Sequence, residues 1–516
     1  MNKRLPEDLY TAEQVRRLDH VAIHKFGIPG FDLMSRAAGA VFLAVQQRWP
    51  DAKSMLVLCG AGNNGGDGYL VAKLAKEAGL SVNVLFLKDP EALQGDAKTA
   101  YLACAAANID IRSYDNQPLI KADIIIDALL GTGLTGNVRG DYSEVIQWVN
   151  KSNCEICSVD IPSGLCSDTG APLGDAVRAN VTVSLIGLKQ GLLTGFGPEY
   201  CGQLVFDNLG IPPAVYENVA SQSQRIAPKQ FAGLLSPRRR AAHKGDFGHV
   251  LLVGGNKGMP GAILMAAESA MSCGAGRVTV ATRKQHLTPL AVRCPEVMGM
   301  AIDSEQGLEN AISGKNVIVI GPGLGKDKWA FKLLQDALSA DCSLVLDADA
   351  LNLLADHPQL LKGRKLPMIF TPHPGELGRI LGNSIADIQK NRFTALTNGI
   401  KQLRDQAEGE RNVTLLLKGA GTLISDGNAI SLCSDGNPGM AVAGMGDVLS
   451  GVIGALLAQG LKPIDAARMG AWLHATAADD IVARQGEIGL RATELIPVIR
   501  QNLNKLVGTN FYVSQI

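Results

Sequence analysis

Asn437-Pro-Gly-Met-Ala-Val-Ala-Gly-Met-Gly-Asp447 packs a proline, glycines 439, 444 and 446 and a closing carboxylate directly ahead of the uncharged apolar run 448–458. A glycine turn feeding a buried helix presents backbone N–H groups and the positive end of the helix dipole. Such a place attracts phosphate or a developing oxyanion. Asp447 there is either a helix cap or an acceptor for a substrate hydroxyl proton. Upstream, Leu415-Leu-Leu-Lys-Gly-Ala-Gly-Thr-Leu-Ile424 reads as a strand that breaks into a second glycine turn carrying Lys418 and Thr422. Two such turns in one region predict a nucleotide site. The glycine–x4–Gly-Lys-Ser/Thr pattern occurs nowhere in the chain, which excludes a P-loop enzyme.

Working outward, strands are predicted at 250–254, 277–281, 317–321, 344–347 and 369–371, with a helix over 262–271. Glycines, aspartates and a histidine gather just past the strand ends: Gly321-Pro-Gly-Leu-Gly325, Asp347-Ala-Asp-Ala350 and Thr371-Pro-His-Pro-Gly-Glu376. His373, clamped between two prolines, is expected on a rigid loop as a ligand contact. His474 reads as core or helix surface, and Arg238-Arg239-Arg240 with Lys244 as solvated surface.

The first half repeats the rhythm. Helices are predicted over 11–26 and from residue 32, and strands at 54–60, 82–87, 124–127 and 156–160. Strands alternating with helices imply a parallel sheet covered on both faces, with ligands at the carboxyl ends of the strands. Asn63, Asn64 and Asp67 follow one strand, Asp127 ends another and Asp160 a third, and the three aspartates are expected to converge on one crevice. Gly60-x-Gly62-x-x-Gly65 matches the dinucleotide fingerprint literally. Asp67 would repel a pyrophosphate there, so a nicotinamide dehydrogenase is the minor reading. Residues 205–237 lose the rhythm, which places a boundary near 225 and divides the chain into 1–225 and 226–516.

At 516 residues the chain exceeds one ordinary core, in agreement with that division. Lys and Arg balance Asp and Glu at 49 each, which argues against nucleic acid or an anionic membrane as partner. The first eight residues lack an apolar signal core, and no uncharged run of about 18 residues suggests a membrane span. The ten cysteines are scattered, and Cys154 and Cys157 on one strand face opposite sides. A reduced, cytoplasmic protein is expected.

Gly60–Gly68, Asp127-Ala-Leu-Leu-Gly-Thr-Gly-Leu134 and Asp160-Ile-Pro-Ser-Gly-Leu165 together resemble the NAD(P)H-hydrate epimerase family, over about residues 10–220. That resemblance implies a Rossmann-like fold. It implies hydrated NADPH held by Asn63, Asn64, Gly65, Gly66 and Asp67, by Gly131, Thr132, Gly133, Leu134, Thr135, Gly136 and Asn137, and by Asp160 as catalytic carboxylate. It also implies a potassium ion (K+) on Asn64, Asp127 and Ser163, an oxygen set suited to a hard cation. Asp127 is then expected to weigh on ligand binding more than on folding. Ala61 stands where the family usually has proline.

His243-Lys-Gly-Asp-Phe-Gly248, Gly321–Gly325, Asp347-Ala-Asp-Ala-Leu-Asn352, Thr371–Glu376, Leu417–Thr422 and Gly436–Met440 resemble the NAD(P)H-hydrate dehydratase family, over about residues 226–505. Its ribokinase-like fold is implied for the second half. So is an adenine nucleotide, ADP with Mg2+, on Lys418, Gly419, Ala420, Gly421, Thr422 and Gly446. The hydrate would lie near Ala262, Gly325, His373 and Asp447, with Asp447 catalytic. Val442 and Met445 depart from the family's small polar residues.

The expectation is therefore a two-domain α/β repair enzyme, Rossmann-like then ribokinase-like. It would act on hydrated NADH or NADPH with ADP, with no nucleic-acid or membrane partner and as a homo-oligomer. A vitamin-alcohol kinase fused to a Rossmann-like binding or scaffold domain is the alternative.

Overall fold

Ser54–Cys59 (β1), Ser81–Phe86 (β2), Asp110–Ser113 (β3), Ile124–Ala128 (β4), Glu155–Val159 (β5), Val181–Leu185 (β6) and Gln203–Asp207 (β7) form one sheet. Its strands are all parallel and run in the order β3-β2-β1-β4-β5-β6-β7. The central strands are buried on both sides, so they read as continuous apolar runs rather than as alternation. Met55, Val57 and Cys59 join a core with the helices Gly30–Arg48 and Asn63–Glu77 (α1), whereas Leu56 and Leu58 join the opposite one with Val145, Ile146 and Val149. Strand order reverses between β1 and β4, and the loops leaving these two strands part there. Open parallel sheets bind ligands at such a point.

The computed structural model describes residues 5–115, 121–302, 307–408 and 413–508, and it divides into the compact units Met1–Gln224 and Arg225–Ile516. Residues 1–4, part of the stretch lacking a signal core, lie outside the described residues. No helix among the described residues is long and apolar enough to cross a membrane.

The second unit contains His249–Val253 (β8), Arg277–Thr282 (β9), Met298–Ala301 (β10), Val317–Ile320 (β11), Ser343–Leu346 (β12), Met368–Phe370 (β13), Val413–Leu417 (β14), Thr422–Ser425 (β15) and Ile430–Cys433 (β16). They are ordered β16-β15-β14-β13-β12-β11-β8-β9-β10, parallel except for the antiparallel β14-β15-β16 meander. The carboxyl ends of β11, β12, β13 and β14 are therefore neighbours. Val250 and Leu252 pack under the helices Pro260–Ser272, Met445–Ala458 (α2) and Pro463–Gln485 (α3).

Strands β3, β6, β7, β10, β15 and β16 were not anticipated from sequence; β3 and β10 are largely exposed edge strands. Residues 205–237, where the rhythm is lost, hold the end of β7 and short elements such as the helix Pro213–Tyr216. The rigid position expected of His373 is that of the N-cap of Pro374–Leu381.

Candidate functional site

In the first unit the loops after β1 and β4 border a cleft of about 670 Å³. Asn63 and Asn64 open helix α1, with Gly62 as its N-cap. The glycines here serve close packing: a Cβ on Gly60 would lie 1.8 Å from the Leu129 carbonyl oxygen, and one on Gly65 2.2 Å from that of Gly60. The cleft is lined by Asn63, Asn64, Asp67, Gly131, Thr132, Gly133, Leu134, Thr135 and Asp160. Gly65, Gly66, Gly136, Asn137 and Asp127 are not in its wall. Asp19, on the helix Ala12–His24, lines it as well.

Asp160 follows β5 at φ +65°, a left-handed conformation that costs energy for a non-glycine residue and turns its carboxylate toward β6. That carboxylate accepts from Leu185 N–H at 2.9 Å and forms an ion pair with Lys189, whose side chain is fully buried. Lys189 Nζ also donates to the Leu185 carbonyl at 2.9 Å. Burial, with Asp160 and Asp19 nearby and Lys189 opposing, pushes the Asp67 carboxyl well above the usual range. Burial likewise lifts Asp19 to about 6, with Lys189 opposing and Asp160 adding. Three carboxylates thus share one buried ammonium. Lys189 and Asp19 escaped the sequence reading because neither sits in a glycine-rich turn.

Asp127 does not converge on the crevice with Asp67 and Asp160. It is fully buried, accepting from Ser158 Oγ at 2.7 Å, Ser163 N–H at 2.8 Å, Ser163 Oγ at 2.5 Å and Leu129 N–H at 3.4 Å. Burial raises its pKa and these bonds oppose the rise. Ser163 Oγ lies 3.2 Å from the Leu130 carbonyl, and the buried Asn64 Nδ2 has no hydrogen-bond partner. A half-turn of a side-chain amide exchanges its nitrogen and oxygen, so Asn64, which lies beside Gly131, can present its oxygen instead. Asn64, Asp127, Ser163 and the Leu130 carbonyl therefore fit a monovalent cation chemically.

In the second unit, Gly444 is the N-cap of α2 at φ +94°, where a Cβ would meet Met265 at 2.7 Å. Asp447 lies in the first turn. Burial pushes its carboxyl up to about 7, with Asp347 and Asp349 adding and Lys418 opposing. Lys418, at the end of β14, donates to Asp347 Oδ1 at 2.8 Å and lies 3.8 Å from Glu376 Oε2. Burial works against its ammonium, and Asp347 and Glu376 outweigh it, so its pKa ends above the usual value. Ser450 Oγ, one turn along α2, donates to Asp347 Oδ2 at 2.7 Å. A Cβ on Gly446 would be 3.3 Å from Lys418 Nζ, so the helix start sits close against the ammonium.

His373 Nδ1 accepts from Gly375 N–H at 2.9 Å and Glu376 N–H at 3.3 Å, while Glu376 Oε2 accepts from His373 N–H at 2.8 Å. Its Nε2 lies 3.3 Å from Glu376 Oε1, and burial lowers its pKa. The ring is thus fixed through Nδ1. Gly325 N–H donates to Asp349 at 2.8 Å, and Ala262 packs beside Gly323. Gly421 belongs to the β14–β15 turn, whose Gly419 and Ala420 are exposed, and Thr422 opens β15. His474 is core: it is buried on α3, with a backbone hydrogen bond to Met445, and burial lowers it to about 4. Arg239, Arg240 and Lys244 are exposed as expected, and Arg238 lies 3.7 Å over the Phe247 ring.

Fold and sites define a class: two α/β units on one chain, each with acid–base residues at the carboxyl ends of a parallel sheet. The chain belongs to the family of bifunctional NAD(P)H-hydrate repair enzymes. It is 44% identical to the Coxiella burnetii member, covering 96% of this chain and 99% of that one. It is 40% identical to the Escherichia coli K12 member, covering 97% and 95%. The family model described as YjeF-related protein N-terminus matches residues 30–191, and that described as NAD(P)H-hydrate dehydratase matches 250–501. A crystal structure of the ADP/ATP-dependent NAD(P)H-hydrate dehydratase of Bacillus subtilis, co-crystallised with ATP/Mg2+, is 27% identical over 54% of this chain and 97% of its own, with TM-score 0.47. The strand order of the first unit is that of a Rossmann-like sheet, and the second unit is likewise an α/β fold on a mostly parallel sheet.

Proposed function

We propose that residues 1–225 interconvert the C6 epimers of hydrated NADH and NADPH, and that residues 226–516 dehydrate the S epimer at the expense of ADP. The hydrate's C6 carries a hydroxyl beside the ring nitrogen, so its configuration inverts through an iminium ion or a ring-opened aldehyde. Either route needs a proton moved and a cationic intermediate steadied. Asp160, paired with Lys189 at the cleft wall, carries out this step. Asp67, whose carboxyl lies well above the usual range, supplies the matching acid. The wall from Gly131 to Thr135 holds the substrate. Potassium on Asn64, Asp127 and Ser163 would fix the loops after β4 and β5 and contribute positive charge.

In the second unit Asp447 takes the C6 hydroxyl proton. The turn Lys418–Thr422 and the N–H groups at Gly444–Gly446 hold the nucleotide and the phosphoryl group in transfer. The ring nitrogen's lone pair then expels phosphate, a better leaving group than hydroxide, and loss of a C5 proton to solvent restores the C5=C6 double bond. Among the described residues no group of three or more His, Cys, Asp or Glu could hold a metal, which suits Mg2+ bound chiefly through the nucleotide's own phosphates. Mg2+ would neutralise charge on those phosphates. Asp347 and Glu376 keep Lys418 aimed across Gly446.

The observation that carries the reading is the Asp447 carboxyl, raised to about 7 inside a helix N-terminus built to receive an anion. A general base works best with a pKa near the operating pH. The test is purified protein given mixed-epimer NADPH hydrate, with NADPH absorbance followed. With ADP all the hydrate returns to NADPH; without nucleotide none does. Recovery of only half the material would remove the epimerase, and none with ADP or ATP would remove the dehydratase.

A further inference from the structure

Among the described residues, Arg392 is the largest side chain to be completely buried. It occupies the first position of the helix Arg392–Ala407, where the helix dipole disfavours a cation. Burial pulls its pKa down to about 10, so the group remains charged at neutral pH. A buried cation so placed costs stability and is tolerated only where its donors are put to use. Nη2 donates to the carbonyls of Leu417 at 3.2 Å and Lys418 at 3.3 Å, and Nη1 to Gln389 Oε1 at 2.8 Å. The guanidinium therefore lies directly beneath the β14–β15 turn. Gly419, at φ +139°, has no room for a side chain, since a Cβ would sit 2.9 Å from Nη1 and 3.1 Å from Nη2.

We infer that Arg392 is a positioning residue for the nucleotide, an inference resting on the reading of Lys418–Thr422 as the nucleotide turn. By drawing two carbonyl oxygens into the core, it removes the negative ends of two peptide dipoles from the edge that meets an anion. It also sets the backbone from which Lys418 reaches Asp347. A fixed positive charge under the turn adds to the attraction for phosphate. The effect of Arg392 is expected to reach the nucleotide through the turn that it anchors.

Steady-state kinetics on the full chain separate this from a general packing role. Arg392→Met raises the nucleotide KM about tenfold or more, the scale of losing a charge-assisted hydrogen bond. The hydrate KM and the epimerase rate stay unchanged, and Arg392→Lys falls between Met and the native residue. Equal rises in both KM values, or an unmoved nucleotide KM in a folded variant, overturn the inference. If Arg392→Met does not fold, the same split is read from Arg392→Lys alone. Gly419→Ala, which drives a methyl into the guanidinium, distinguishes the two levels of the argument. A nucleotide KM raised by Gly419→Ala but not by the Arg392 variants defeats only the role of Arg392. If neither position moves it, the reading of the turn fails with it.

Discussion

Asp127 and Asp347 stand at equivalent places, buried at the carboxyl end of a parallel strand in their respective sheets, yet they are solvated differently. Asp127 is met by neutral donors alone, two serine hydroxyls and two backbone N–H groups. Asp347 is met by the Lys418 ammonium and one hydroxyl, with Glu376, Asp349 and Asp447 close enough to shift one another's protons. A carboxylate saturated by neutral donors ties loops together and holds its charge in place. A carboxylate sharing one cation with other acids leaves protons mobile, which is what acid–base chemistry needs. Position in the fold therefore does not determine a residue's task; the donor set does.

The comparison breaks most sharply at Asp447. Asp447→Asn is expected to lower dehydration by roughly 10²-fold or more, the usual scale for a lost general base, with nucleotide binding retained. Near-normal turnover in that variant would make the second cluster as structural as the first. A linked effect has the opposite sign. Because the folded carboxyl is raised to about 7, ionising it costs stability as pH climbs through that value. The variant should therefore melt a few degrees higher than the native protein at pH 8 and show little difference at pH 4.

Next in size is Asp127→Ala, where the burial of four donors around the carboxylate points to a cost in folding beside the expected cost in ligand binding. Four donors lose their acceptor inside the core, so unfolding of the first unit should become easier by about 2–3 kcal/mol. Chemical denaturation followed by a probe in that unit measures this, and an unchanged midpoint with weakened substrate binding would leave the ligand role alone. The third test concerns protons. Dehydratase kcat/KM should fall about tenfold per pH unit below pH 7, because the base must be ionised to act. A profile flat down to pH 5 would show that Asp447 is not the titrating group. The smallest effect is that of the cation. Epimerase activity in potassium should exceed that in sodium or choline by a few-fold at constant ionic strength, since the site offers a single carboxylate whose oxygens already accept from four neutral donors. Equal rates in the three salts would leave Asp127 a loop anchor and nothing more.

Local pattern carried much of this protein. Continuous apolar runs such as 55–59 and 124–126 mark strands buried on both faces, and glycines after them mark turns where backbones must touch, so both sheets and the strand-end location of the sites were legible. Asp160, Lys418 and Asp447 were singled out for the same reason. Only the tertiary structure decided what these groups face. Lys418 and Asp347 are 71 residues apart in sequence, Asp160 and Lys189 are 29 apart, and Arg392 reaches the Leu417 carbonyl from a helix that looks ordinary in sequence. Burial writes a period into the chain because every residue of a strand or helix feels the same wall. A hydrogen-bond partner brought in from another element leaves no period, and it is these partners that separate the carboxylate that holds from the carboxylate that reacts.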